Sequence, residues 1–177
     1  MGEPPCFRRH VVNFSTVYAA PRFVNKAMQL VAGNWQVSGI VRLQTGGPFT
    51  VTSGADTCLC GAQGRDRANQ LLADVYTAEK SPTQYLNPAA FGRPVDGQWG
   101  TGNINTQGPG QIDINMALTR KFLVREGQSV EFRAEAFNLP NHLNPMNPVA
   151  AVNSPNFGKI LTARDPRIIQ LALKYVF

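Results

Sequence analysis

The stretch Ile112-Asp113-Ile114-Asn115-Met116-Ala117-Leu118-Thr119 decides the fold. Ile112, Ile114, Met116 and Leu118 alternate with Asp113, Asn115, Ala117 and Thr119, and a period of two places the two sets on opposite faces of a β-strand. Arg120 and Lys121 then lead to Phe122. No other segment of the chain is as cleanly amphipathic.

Four more stretches share the period. Val12, Phe14, Thr16 and Tyr18 oppose Val11, Asn13, Ser15 and Val17, while Trp35, Val37, Val41 and Leu43 oppose Gln36, Ser38, Arg42 and Gln44, with Ile40 out of pattern. Val130, Phe132, Ala134 and Ala136 oppose Glu131, Arg133 and Glu135, and Ile169, Leu171, Leu173, Tyr175 and Phe177 oppose Gln170, Ala172 and Lys174. Strands are therefore expected near 10–18, 35–45, 111–122, 129–138 and 167–177. Each is about 9 to 11 residues long, the length of a tilted strand that crosses a bilayer.

The connections carry more information than strand length, because soluble sandwiches also contain strands with one buried face. Leu123 to Gln128 is short, Tyr18 to Trp35 is moderate, and 46–110 and 140–166 are long. This alternation predicts an antiparallel up-and-down meander of about five strands, an all-β fold that forms part of a transmembrane barrel with short turns at one edge and long loops at the other. Eleven of the 16 glycines lie between Gly46 and Gly110, so that connection reads as one long loop. Within it Ala68, Leu71, Leu72, Val75 and Glu79 fall at roughly helical spacing, which allows a short helix stopped by Ser81-Pro82. Four prolines between Asn138 and Asn156 remove ladder donors, so no continuous strand is expected there.

Aromatic residues support the same topology. In a meander Tyr18, Trp35, Phe122 and Tyr175 all fall at the short-turn edge, as an aromatic girdle at headgroup level does. On such a barrel Arg42, Asp113, Glu131, Arg133, Glu135 and Lys174 face the lumen. Arg133, between two acids, reads as part of an ionic ladder.

Composition narrows the function classes. The 177 residues are 43% hydrophobic and 16% charged, against about 25% charged in an average soluble domain. Lys and Arg number 17 and Asp and Glu 11, a net charge of +6, but the basic residues are scattered, and no nucleic-acid partner is expected. No apolar run is long enough for a transmembrane helix. The N-terminal residues lack the pattern of a secretory signal.

Catalytic chemistry finds no foothold. His10 and His142 stand far apart and outside any zinc motif, and neither a nucleophile elbow nor a phosphate-binding glycine loop occurs. Cys58 and Cys60 are compatible with a soft metal or a small disulfide but fall short of a zinc site, and Cys6 has no assigned role. Neither an enzyme activity nor a cofactor is expected.

Arg9-His10, Gly33-Asn34-Trp35-Gln36-Val37-Ser38-Gly39-Ile40 and Gln44-Thr45-Gly46-Gly47-Pro48-Phe49-Thr50-Val51 are followed by Tyr85-Leu86-Asn87-Pro88-Ala89-Ala90-Phe91. Arg133-Ala134-Glu135-Ala136-Phe137-Asn138 with Asn141-His142, Ser154-Pro155-Asn156-Phe157-Gly158-Lys159-Ile160, and the closing run from Asp165 to Phe177 come next. In this order the landmarks resemble the C-terminal segment of the barrel of a TonB-dependent outer-membrane receptor. The group is the Oar-like one, which carries a carboxypeptidase-regulatory-like domain.

The resemblance implies uptake of a scarce solute across the outer membrane of a Gram-negative bacterium. The partners it implies are the remainder of the receptor barrel and its plug, TonB through an N-terminal part, the barrel assembly machinery, outer-membrane lipid and the solute. Ile169, Leu171, Leu173, Tyr175 and Phe177 look like the terminal-strand signal read by that machinery. No TonB box, plug or regulatory domain is found in the 177 residues, and five strands are too few to close a barrel. The expectation is a piece of a larger receptor. The alternative is a soluble all-β ligand- or carbohydrate-binding module in which Trp35, Trp99 and the loop tyrosines stack on sugar rings.

Overall fold

The computed structural model describes residues 8–61, 64–102 and 106–177; Cys6 lies outside them. Five long strands form one sheet: β1 (Val11–Ala19), β2 (Trp35–Gln44), β3 (Gln111–Arg125), β4 (Gln128–Phe137) and β5 (Ile168–Val176). They lie in chain order and pair antiparallel, which is the meander expected from the period-two pattern. The chain divides into two compact units, and all five strands belong, but for their first or last residues, to the unit made of Val11–Leu43, Ile112–Leu143 and Asp165–Phe177.

Register confirms that the alternation defines real faces. Ala134 of β4 faces Leu118 of β3 on one side and Leu171 of β5 on the other, and Val130 likewise lies between Phe122 and Tyr175. The bonds Thr45 N–H to His10 C=O (3.0 Å) and Ala20 N–H to Trp35 C=O (2.8 Å) clamp β1 to β2 at both ends, which pairs Thr16 with Gly39. Gly39 in turn abuts the Met116 side chain, so the even residues of β3 join the same face. One face of the sheet is thus apolar from β1 to β5.

The β3–β4 turn is Glu126-Gly127, where Gly127 has φ of +78° and needs no Cβ. An extra residue of β3 near Val124 makes a bulge beside it. The β1–β2 connection carries a helix that the sequence reading did not include, α1 (Lys26–Ala32). Asn25 starts it by accepting the Ala27 and Met28 amides at 2.9 and 3.4 Å, and Gly33 ends it.

The second unit comprises Met1–His10, Gln44–Gln111 and Asn144–Arg164. Both long connections are present, but they are not irregular throughout. Pro48–Phe49 pairs with Thr106–Gln107, Asn69–Gln70 with Phe91–Gly92, and Tyr76–Ser81 with Gln84–Leu86. These pairings replace the helix expected from Ala68 to Glu79: the pairing of Asn69–Gln70 with the distant Phe91–Gly92 and the local hairpin of Tyr76–Ser81 with Gln84–Leu86 outweigh a helical spacing of five residues. A core of Val51, Ala68, Tyr85, Leu86, Ala90, Phe91 and Phe157 fills this unit. Phe91 meets Phe157 edge-to-face at 5.7 Å, and Tyr76 meets Tyr85 in the same way at 5.7 Å. The Tyr85 and Leu86 amides both donate to Gly158 C=O. Three of the sequence landmarks therefore converge on one core.

Candidate functional site

The sheet brings the six charged residues onto its polar face. Register sets Glu131 directly between Lys121 and Lys174, and Glu135 opposite Gln170. Arg133 donates from Nε to Glu135 Oε1 at 2.9 Å, so its ion pair runs along β4 to the second acid. Arg42 and Asp113 share this face by alternation on β2 and β3. The row is partly solvated, which makes such pairs worth about 1 kcal/mol or less each and better suited to lining a wet lumen than to forming a core.

The opposite face carries the terminal-strand residues Ile169, Leu171, Leu173 and Tyr175 in register with Ala136, Ala134, Phe132 and Val130. Every residue of β1 and β5 is exposed, and no described strand continues the sheet beyond either. Phe122 and Tyr175 stand in one transverse row, Trp35 reaches Arg120 two residues from Phe122, and Tyr18 lies at the same end of β1. The four aromatics thus occupy the end of the sheet that holds the Glu126-Gly127 turn. Tyr175 stacks on Phe177 at 6.1 Å.

A polar hub closes the other end. Asn138, buried and at φ of +48°, receives the His142 amide at Oδ1 and donates from Nδ2 to the carbonyls of His142 and Asp165. Its own amide donates to Asn115 Oδ1 at 2.9 Å, and Asn141 Oδ1 accepts the Arg167 amide at 2.9 Å. One asparagine ties the end of β4 to the entry of β5, and His142 serves this turn through its backbone.

In the second unit Cys58 and Cys60 form a disulfide. Buried Asp66 accepts from the Cys58 amide at 2.8 Å and Thr57 Oγ1 at 3.3 Å, while Asp56 accepts the Cys60 and Gly61 amides at 3.1 and 2.9 Å. The carboxylates and sulfurs lie within 4.8 Å of one another. The disulfide removes both thiolates, and the acids satisfy backbone donors, so the cluster reads as a knotted turn. Burial pushes the Tyr85 phenol up to about 12, with Tyr76 beside it adding to the effect. Tyr76 and Tyr85 are committed to the core and to Gln107, and Trp35 to the Val31 carbonyl and Arg120, which leaves Trp99 as the exposed ring of the proposed sugar-stacking set.

A sheet of membrane-length strands with an apolar outer face, a polar inner face and aromatics at the turn end defines an outer-membrane β-barrel protein. The family described as outer membrane beta barrel domain matches residues 2–170, and the chain belongs to it. No curated protein and no solved structure matches the chain.

Proposed function

We propose that the chain forms part of the barrel of a TonB-dependent receptor of the Oar-like group, which takes up a scarce solute across the outer membrane. The observation that carries this reading is the pair of open edges: among the described residues no strand pairs with the outer edge of β1 or β5, each edge lies beside an apolar face, and a bilayer does not tolerate such edges. Further strands must complete the wall. The ordered landmarks favour a receptor barrel as their source, and the role is non-enzymatic.

On this reading the polar row of Arg42, Asp113, Glu131, Arg133, Glu135 and Lys174 meets the lumen and the plug. Short turns of such barrels face the periplasm and long loops face outward. The unit of 44–111 and 144–164 is then the solute-facing part, TonB acts through the plug, and the assembly machinery reads β5.

Photo-crosslinking in native outer membranes tests the proposal. A benzophenone amino acid at Phe14 on β1 or Leu171 on β5 is expected to trap barrel strands of a polypeptide that bears a plug and a TonB-binding segment. Adducts confined to copies of this chain, or recovery of the chain in the soluble fraction, overturn it.

A further inference from the structure

Arg120 breaks the apolar face. Register pairs it with Phe132, and its neighbours along β3 on that face are Leu118 and Phe122. The side chain is only 9% exposed. Its guanidinium lies over the rings of Trp35 and Phe122, with centroids at 4.9 and 4.6 Å, and Nη2 donates to the Leu30 carbonyl at the end of α1. Nε is buried and has no partner among the described residues. A cation desolvated in this way requires a counter-charge, because an unpaired buried charge is strongly unfavourable.

The space beside it is suited to supply one. A cleft of about 340 Å³ is lined by Arg120 and Lys26 together with Phe23, Leu30 and Phe122, and among the described residues no carboxylate lines it. It opens at the aromatic end of the sheet, where α1 leaves Met28, Leu30 and Val31 exposed and Val24 is exposed just before it. An apolar helix beside a basic cleft at this level matches an interfacial element. Guanidinium matches phosphate geometry with parallel N–H donors and stacks on aromatic faces, whereas lysine ammonium acts as a point charge.

We propose that this cleft binds the phosphate of a glycerophospholipid in the leaflet that meets the short-turn edge. Arg120 is the buried ligand, Lys26 supplies rim charge, and the acyl chains run along the apolar face beside Phe122 and Leu118. The inference rests on membership of the outer-membrane family and not on the receptor reading.

Native mass spectrometry of the full chain, extracted from outer membranes into maltoside micelles, tests it. The probes are dioleoyl phosphatidylglycerol, dioleoylglycerol with the same tails and no phosphate, glycerol phosphate with no tails, and lipid A. The wild-type chain is expected to retain one phosphatidylglycerol about tenfold more tightly than Arg120→Gln, with Arg120→Lys between them. Lys26→Gln, on an exposed helix, is expected to weaken retention about twofold without touching the sheet. Equal retention by the wild type and Arg120→Gln overturns the site. Equal retention of dioleoylglycerol reduces it to tail contacts, and equally tight glycerol phosphate or a preference for lipid A overturns the named lipid. If Arg120→Gln loses its strand circular dichroism, the Lys26→Gln variant and the dioleoylglycerol arm decide.

Discussion

The five-stranded sheet and the unit of 44–111 and 144–164 solve the burial problem in opposite ways. The second unit uses strands of two to six residues, yet Leu86 and Ala90 within it are fully excluded from solvent. The sheet uses strands of 9 to 15 residues, and not one residue of β1 or β5 is buried. Backbone hydrogen bonding holds the sheet, but the apolar side chains of its outer strands β1 and β5 stay exposed. Water is a poor solvent for that face, and lipid is a good one.

The largest expected effect of this contrast is on the chain as a whole. In detergent-free buffer the rows from Ile112 to Leu118 and from Ile169 to Phe177 are contiguous apolar surface next to open edges, which invites self-association. Sedimentation of the purified chain is expected to show aggregates or edge-joined oligomers. A stable, monodisperse monomer breaks the contrast and favours the soluble-module alternative.

Leu86→Ala probes the region with its own core. Leu86 is 0% exposed, and truncating such a side chain costs about 2–5 kcal/mol. Hydrogen exchange is expected to accelerate for the amides of Tyr85 to Phe91 and to stay unchanged in β4 and β5. Coupled loss of protection in the sheet removes the independence of the two units.

Leu171→Arg probes the region without one. Leu171 is already 71% exposed, so in a soluble protein the change is expected to fall within about 0.5 kcal/mol. On a lipid face near mid-bilayer it costs about 2–4 kcal/mol. Urea titration of native outer membranes should therefore show a lowered midpoint for Leu171→Arg and almost none for Gln170→Arg, which lies on the polar face opposite Glu135.

The two regions also differed in how far their sequences could be read. Each long strand has one face in a single environment, so a period of two marks β1 to β5 to within a few residues, and the bearing of Arg133, Glu135 and Leu171 follows from parity. The helix α1 leaves no periodic signal although Asn25 and Gly33 bracket it, because seven residues make only two turns and bury none of their side chains. Arg120 merely follows the apolar set in the sequence, and register puts it on the apolar face. What made it a site was the packing of Trp35 and α1 around it, a non-local fact. In the second unit, paired segments lie up to tens of residues apart and are held by turns and buried polar bonds, so Ala68 to Glu79 offered a false helical spacing. Its landmarks were recognisable as words, but their convergence on Gly158 was not.

The smallest expected effect separates the regions by alkaline titration. Tyr85 is buried in the second unit, and its phenol is pushed up to about 12 because burial disfavours the phenolate. In the unfolded chain it ionises near 10. The folded unit therefore holds the proton more tightly, so this contribution is fully present below pH of about 10 and is lost as the pH rises from there through about 12. Tyr85→Phe keeps the ring against Tyr76 and gives up only the long bond from Oη to the Gln107 carbonyl, at 3.4 Å. Its cost at neutral pH is expected at about 1 kcal/mol or less. Hydrogen exchange measured from pH 9 upward, after correction for base-catalysed intrinsic rates, should show the wild-type unit losing protection more steeply than Tyr85→Phe. The amides of β4 and β5 should follow one profile in both proteins; a shared alkaline loss there would mean that the phenol supports the sheet as well as its own core.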